Sequence, residues 1–150
     1  MDILRRNTDY ALRMMVNLAR NYQKGPESTR SLANAEEVPY QLACKLMQRL
    51  SNTGFVESCM GARGGYRLAG KPSDISILDV IEAIQGPVSV NRCLLNVNSC
   101  SRQGNCPITA RLKGLQENLN SYLSGVKLEE LAMSRDNQKT NKASKGKVNK

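Results

Sequence analysis

The chain contains no histidine. That absence removes imidazole from every candidate acid, base and metal ligand, and with it the commonest side chain for proton transfer near neutral pH. Tryptophan is missing too and there is a single phenylalanine, so aromatics make up only 4% of the 150 residues. A core with so few rings must be assembled from Leu, Ile, Val, Met and Ala, which favours helices over a sandwich or barrel. No apolar run approaches membrane-spanning length, and the opening Met-Asp-Ile-Leu-Arg-Arg turns polar without a signal-peptide core. The sequence therefore predicts a cytoplasmic protein with no membrane partner. No segment brings a nucleophile beside a base, or pairs two carboxylates, which argues against an enzyme.

Acid is scarce relative to base: 13 Asp and Glu stand against 22 Lys and Arg, a formal charge of +9. Such a balance suits a polyanionic partner. Its distribution matters more than its total, because six bases and one acid lie from Arg135 onward, leaving 16 bases and 12 acids in the body. Residues 134–150 contain one Val among many Lys and Asn and are expected to form a disordered basic tail. The remainder is long enough for one small domain with a helical appendage.

Helical spacing of Ala11, Met15 and Leu18 predicts a first helix over Asn7 to Tyr22, capped by Asn7 or Thr8, with Asp9 in its first turn. The helix dipole favours a carboxylate there, so on the residues alone Asp9 is a helix-end charge. Ser28 or Thr29 caps a short helix to about Ala35 that carries Leu32 inward. After a break at Glu36 to Pro39, a third helix runs to Ser51, burying Ala43, Leu46, Met47 and Leu50. Its other face carries Gln41, Lys45 and Gln48, with Arg49 alongside, and no acid. This is the pattern of a helix-turn-helix whose last helix enters the major groove, although an ordinary solvated face looks similar.

The next segment shifts the balance toward DNA. Phe55 to Met60 reads as a strand, Gly61-Ala62-Arg63-Gly64-Gly65 as a turn and Tyr66-Arg67-Leu68 as a returning strand. A hairpin directly after such a helix is a wing, with Arg63 and Arg67 as its cations. Thr29 at the head of the second helix, and Pro39 and Tyr40 at the head of the third, complete the expected contacts to double-stranded operator DNA. The glycines are no nucleotide loop, since no Lys-Ser/Thr and no helix follow them.

Ser76 caps a fourth helix with a stripe of Ile77, Val80, Ile81 and Ile84, ended by Gly86-Pro87. Beyond the cysteine segment, Pro107 opens a helix to about Leu123 carrying Ile108, Leu112, Leu115, Leu119 and Tyr122 at alternating spacings near four and three. No later element is large enough to cover that row, so it is read as a homodimer seam. Leu128, Leu131 and Ala132 mark a last short helix. The expected division is a winged helix-turn-helix domain over 1–88, a cysteine loop over 89–106, a dimerisation helix with the short helix over 107–133, and the tail. The fold class is mainly α with a small β-hairpin.

Three of the five cysteines, Cys93, Cys100 and Cys106, stand among Asn, Ser, Gln and Gly, which favour turns and build no core. Three thiolates on one loop can converge on iron and sulfide. They can also hold zinc with an incomplete ligand set, or switch through a disulfide. Cys44 and Cys59 lie on a helix and a strand, where they are read as structural.

Thr8-Asp9-Tyr10-Ala11-Leu12-Arg13, Val38-Pro39-Tyr40 leading to Lys45, Arg63-Gly64-Gly65-Tyr66-Arg67-Leu68, Gly86-Pro87 and the three cysteines followed by Pro107 together resemble the Rrf-two family of bacterial winged-helix regulators. The resemblance covers Met1 to Ala132. It implies a homodimer joined through the helix after the cysteine loop, and a transcriptional regulator, most often a repressor, whose Cys93, Cys100 and Cys106 ligate an iron-sulfur cluster. In the branch that regulates cluster assembly the fourth ligand is a His three residues after the last Cys, where this chain has Thr109. In the nitric-oxide-sensing branch it is an Asp of the partner subunit at the position of Asp9. The resemblance therefore implies the Asp9 arrangement, with [4Fe-4S] favoured over [2Fe-2S] and nitric oxide, redox state or iron-sulfur status as signal. Where the family wing carries Arg before its first Gly, this chain has Met60.

Overall fold

The computed structural model describes residues 3–134, so the basic tail from Arg135 onward lies outside the described residues. The first helix, α1 (Arg6–Arg20), is amphipathic as expected, but neither Asn7 nor Thr8 caps it. Arg5 holds the cap position without a side-chain bond. Thr8 lies inside the helix and fully buried, where its hydroxyl donates to Gln85 Oε1 at 2.7 Å. A buried hydroxyl needs a partner, and this one is found 77 residues away instead of in its own first turn. The buried face comprises Tyr10, Ala11, Met14, Met15, Leu18 and Ala19.

Ser28 caps α2 (Thr29–Ala35), accepting the Ser31 amide at 3.1 Å. A tight turn through Glu37, whose φ of 55° is left-handed, then leads into α3 (Tyr40–Asn52). Glu36 in that turn is buried, and its carboxylate accepts from Asn17 Nδ2 at 2.7 Å. Ala43, Leu46, Met47 and Leu50 of α3 face inward, as their spacing predicts, and α3 packs on both α1 and α2.

The wing pairs β1 (Val56–Cys59) with β2 (Gly65–Leu68) antiparallel, Val56 opposite Leu68 and Cys59 opposite Gly65. An additional bridge joins Glu27 to Tyr66, with reciprocal backbone bonds of 2.9 and 2.8 Å. The chain leading into α2 is thereby fastened to the wing. Gly65 is required by that approach: a Cβ built there would lie 2.1 Å from the Glu27 carbonyl oxygen.

Ser76 and Asp79 form a reciprocal capping box at the start of α4 (Ile77–Gln85), a device that contributes about 1 kcal/mol. The cysteine segment is not a plain loop. It contains a four-residue helix, α5 (Arg92–Leu95), and a 3-10 turn at Gln103–Asn105. Both are local turns of the kind that Asn, Ser and Gly permit without a periodic apolar face. Then α6 (Pro107–Gly125) begins with Pro in its first turn, and α7 (Leu128–Met133) closes the described chain.

Leu128 is fully buried in the main core with residues of α1, α3, α4 and the wing. The short terminal helix therefore packs against α1. A smaller cluster of Ile81, Val88 and Leu123, flanked by Leu119, docks the C-terminal half of α6 on α4. Among the described residues, no helix is long and apolar enough to cross a membrane.

Replacing Gly65 by Ala should separate the wing from Glu27 and cost about 1–3 kcal/mol, read from denaturant midpoints together with faster exchange of the Tyr66 amide. Gly70→Ala, where an added Cβ meets nothing within 4 Å, should change stability by less than about 0.5 kcal/mol; equal effects from the two would show that the close approach is unimportant.

Candidate DNA interface and metal site

The surface of α3 away from the core presents Gln41, Lys45, Gln48 and Arg49, all exposed. Amides and cations of this kind meet base edges and phosphates without self-neutralisation, since no acid shares the stripe. Pro39 is the N-cap of α3 and exposed, Tyr40 follows with 47% of its surface accessible, and Thr29 is half-buried at the head of α2. The heads of α2 and α3 thus carry the expected entry residues.

The wing cations differ from one another. Arg63 is exposed in the turn, next to a Met60 that is 95% exposed. Arg67 instead donates through Nε to Glu57 across the strand pair. That hydrogen bond and the carboxylate charge raise the guanidinium above its ordinary value. Its charge is partly spent within the wing, whereas that of Arg63 faces solvent.

Cys93 lies on α5 and Cys106 at the N-cap of α6, both half-buried, and both line one cleft of about 620 Å3 together with Gln103 and Thr109. Cys100 is exposed in an adjoining cleft that shares Val97, Gln103 and Gly104 with the first. The Gln103 side chain organises the segment. Its Nε2 donates to the carbonyls of Cys93 and Asn96, and its Oε1 accepts the Asn98 amide. Sequence reading missed this residue, because a glutamine among polar neighbours gives no periodic signal.

The amide of Thr109, its hydroxyl and the amide of Ile108 act on the Cys106 sulfur and hold that thiol below the ordinary cysteine value. A helix N-terminus stabilises an anion in this way, favouring the thiolate that binds metal. The same Thr109 hydroxyl lies 3.7 Å from Cys93 Sγ. Thr109, at the place where a histidine ligand stands in one branch of the resembling family, is therefore a hydrogen-bond donor shared by two sulfurs. The three cysteines themselves do not converge: among the described residues, no three His, Cys, Asp or Glu side chains lie close enough to hold a metal ion.

Asp9 is held elsewhere in the subunit. Its carboxylate pairs with Arg13 Nη2 at 2.7 Å, one turn along α1, and both side chains are about half exposed (50% and 45%). Arg13 also reaches toward the Glu36 carbonyl at 3.5 Å and lies over the Tyr10 ring.

Along the expected seam, Ile108, Leu115 and Tyr122 are 65%, 54% and 71% exposed. Leu112 and Leu119, between them, are half-buried. An apolar row spaced by seven thus runs the length of α6, and among the described residues Ile108, Leu115 and Tyr122 stay uncovered.

Residues 4–134 match the Rrf2 family, described as iron-dependent transcriptional regulators. The chain is 30% identical over 129 residues to the HTH-type transcriptional regulator CymR of Bacillus subtilis, covering 86% of this chain and 88% of that one. Identity is 31% over 118 residues to NsrR of Shouchella clausii, covering 77% and 76%, and 30% over 122 residues to IscR of Photorhabdus laumondii, covering 81% and 74%. The solved structure of B. subtilis CymR, titled the global cysteine regulator, superposes with a TM-score of 0.72 at 26% identity, over 88% of this chain and 97% of that one. With three differently named regulators so nearly equidistant, identity alone assigns no branch, but the family is settled. The chain belongs to the Rrf2 family of winged-helix, DNA-binding transcriptional regulators.

Proposed function

We propose that this regulator is a homodimeric repressor whose DNA affinity is set by a [4Fe-4S] cluster held by Cys93, Cys100 and Cys106, with Asp9 of the partner subunit as fourth ligand. The observation that carries the reading is the pair of sulfurs, Cys93 and Cys106, lining one cleft at the head of α6 with Cys100 in the cleft beside it. The donor set fits the group in kind: three thiols, one of them already favoured as thiolate. Cys100 must swing inward, and the exposed Asn and Ser turns around it leave room for that movement.

When bound, the cluster supplies an iron centre open to attack by nitric oxide or oxygen. A carboxylate is a hard ligand for such iron beside three soft thiolates, which makes Asp9 the ligand most readily displaced. Asp9 belongs to the same helix that packs on α3, so a change in its partner is felt by the helix that carries Gln41 and Lys45. Arg13 stands ready to receive the carboxylate when it is released.

A second reading is favoured by the separation of the sulfurs and by the likeness to CymR: a cluster-free regulator of the same fold that responds through thiol chemistry or a partner protein. Iron and sulfide content separates the two. Protein purified without oxygen should be brown and contain both, and Cys93→Ala, Cys100→Ala or Cys106→Ala should abolish the colour. Asp9→Ala should still assemble the chromophore but lose it faster under nitric oxide, followed by absorbance. Colourless wild-type protein with stoichiometric zinc would sink the cluster reading.

The dimer has an independent test. Leu115→Asp places charge in the exposed apolar row of α6 without touching the subunit's own core. Light scattering should report a monomer while the helical circular dichroism is retained; a persistent dimer would place the interface elsewhere.

A further inference from the structure

None of the DNA contacts considered so far lies on the exposed side of α2 beyond its first residue, yet Arg30 is placed there in an unusual way. Its guanidinium carbon lies 4.8 Å from the centroid of the Tyr40 ring. Tyr40 is the first residue of α3, so this contact spans the turn of the helix-turn-helix, from the head of one helix to the head of the other. The Cys44 thiol, one turn further along α3, acts on the phenol and raises it above its ordinary value against the opposing charge of Arg30.

The electrostatic setting also matters. Two ion pairs occur among the described residues, Arg13 with Asp9 and Arg67 with Glu57, and Arg30 takes part in neither. The acid closest in sequence, Glu27, accepts the Ser31 hydroxyl at 3.0 Å. An aromatic shelf orients a guanidinium without neutralising it, whereas a carboxylate does both. In a helix-turn-helix the helix before the recognition helix crosses the phosphate backbone. Arg30 sits at the head of that helix, exposed and lying over the Tyr40 ring.

We propose that Arg30, shelved on the exposed ring of Tyr40, contacts a DNA phosphate and extends the interface of α3 onto α2, with Tyr40 as its positioning residue. The inference rests on the family's DNA binding and on α3 as the groove-facing helix. A backbone contact carries no base information, so it strengthens binding to any duplex and fixes how α3 is presented to the groove.

The test uses the full-length protein with two duplexes, one of random sequence and one from the DNA upstream of its own coding sequence, titrated at several salt concentrations. Arg30→Ala should weaken both by a similar factor and lower the slope of log affinity against log salt by about 1. Arg30→Met, which keeps an apolar stem against the ring, should do the same and guards against a folding defect in the alanine variant. In a Tyr40→Leu background, Arg30→Ala should have a smaller effect than in the wild type. An unchanged salt slope in both Arg30 variants, with wild-type protein binding normally, would overturn the assignment and leave the Arg30 and Tyr40 contact as a link between helices only. Wild-type protein that bound neither duplex would overturn the DNA reading itself and this inference with it.

Discussion

The short antiparallel bridge between Ser76 and Lys127 is the constraint on which the arrangement of the chain depends. Through it the Ile77 amide donates to the Val126 carbonyl and the Leu128 amide to the Ile75 carbonyl, at 3.0 and 2.9 Å. These bonds fasten the C-terminal end of α6 to the start of α4 and drop Leu128 into the main core. A long helix fixed at its far end and packed there by Leu119 and Leu123 leaves its near end, with the cysteines, extended from the body. The winged-helix half and the cysteine half are thus joined through packing at α4, yet separated along the length of α6.

Polar side chains make the remaining connections. Gln85 accepts from the Arg5 amide and the Thr8 hydroxyl and donates to the Ile3 carbonyl, tying the start of α1 to the end of α4. Gln116 donates to the Val88 carbonyl and accepts the Val90 amide, holding the irregular exit from α4 against α6. Gln103 does the same within the cysteine segment. Each glutamine satisfies backbone groups that irregular chain leaves open, which is why these segments remain ordered without apolar cores of their own.

What the sequence makes legible follows from this division. Periodic apolar residues locate α3, α4 and α6 closely, a cap signal locates α2, and Ser76 and Ser28, the latter one of two caps expected there, are found as caps, because caps and stripes are local. The glutamine ties are invisible for the opposite reason, since Gln85 finds Thr8 across 77 residues with no periodic trace. Thr8 as a helix cap is misjudged through the same gap. The stripe on α1 is incomplete without Met14, fully buried beside Met15, because a helix sandwiched between several others buries more than one narrow face. Of the candidate site, the residues are legible by type and spacing, whereas the split between Cys100 and the other two sulfurs, and the spent charge of Arg67, depend on contacts that only the folded chain reveals.

The Asp9 and Arg13 pair has a consequence for how readily the molecule can change state. Both side chains are about half exposed, so their attraction is largely screened and contributes less than about 1 kcal/mol to the fold. A carboxylate held this loosely can exchange one cationic partner for another without disturbing the core beneath it. Unlike the buried Glu36, whose loss of a partner would strand a charge away from water, Asp9 is energetically cheap to move, and so the exchange can be governed by whatever competes for it at the surface.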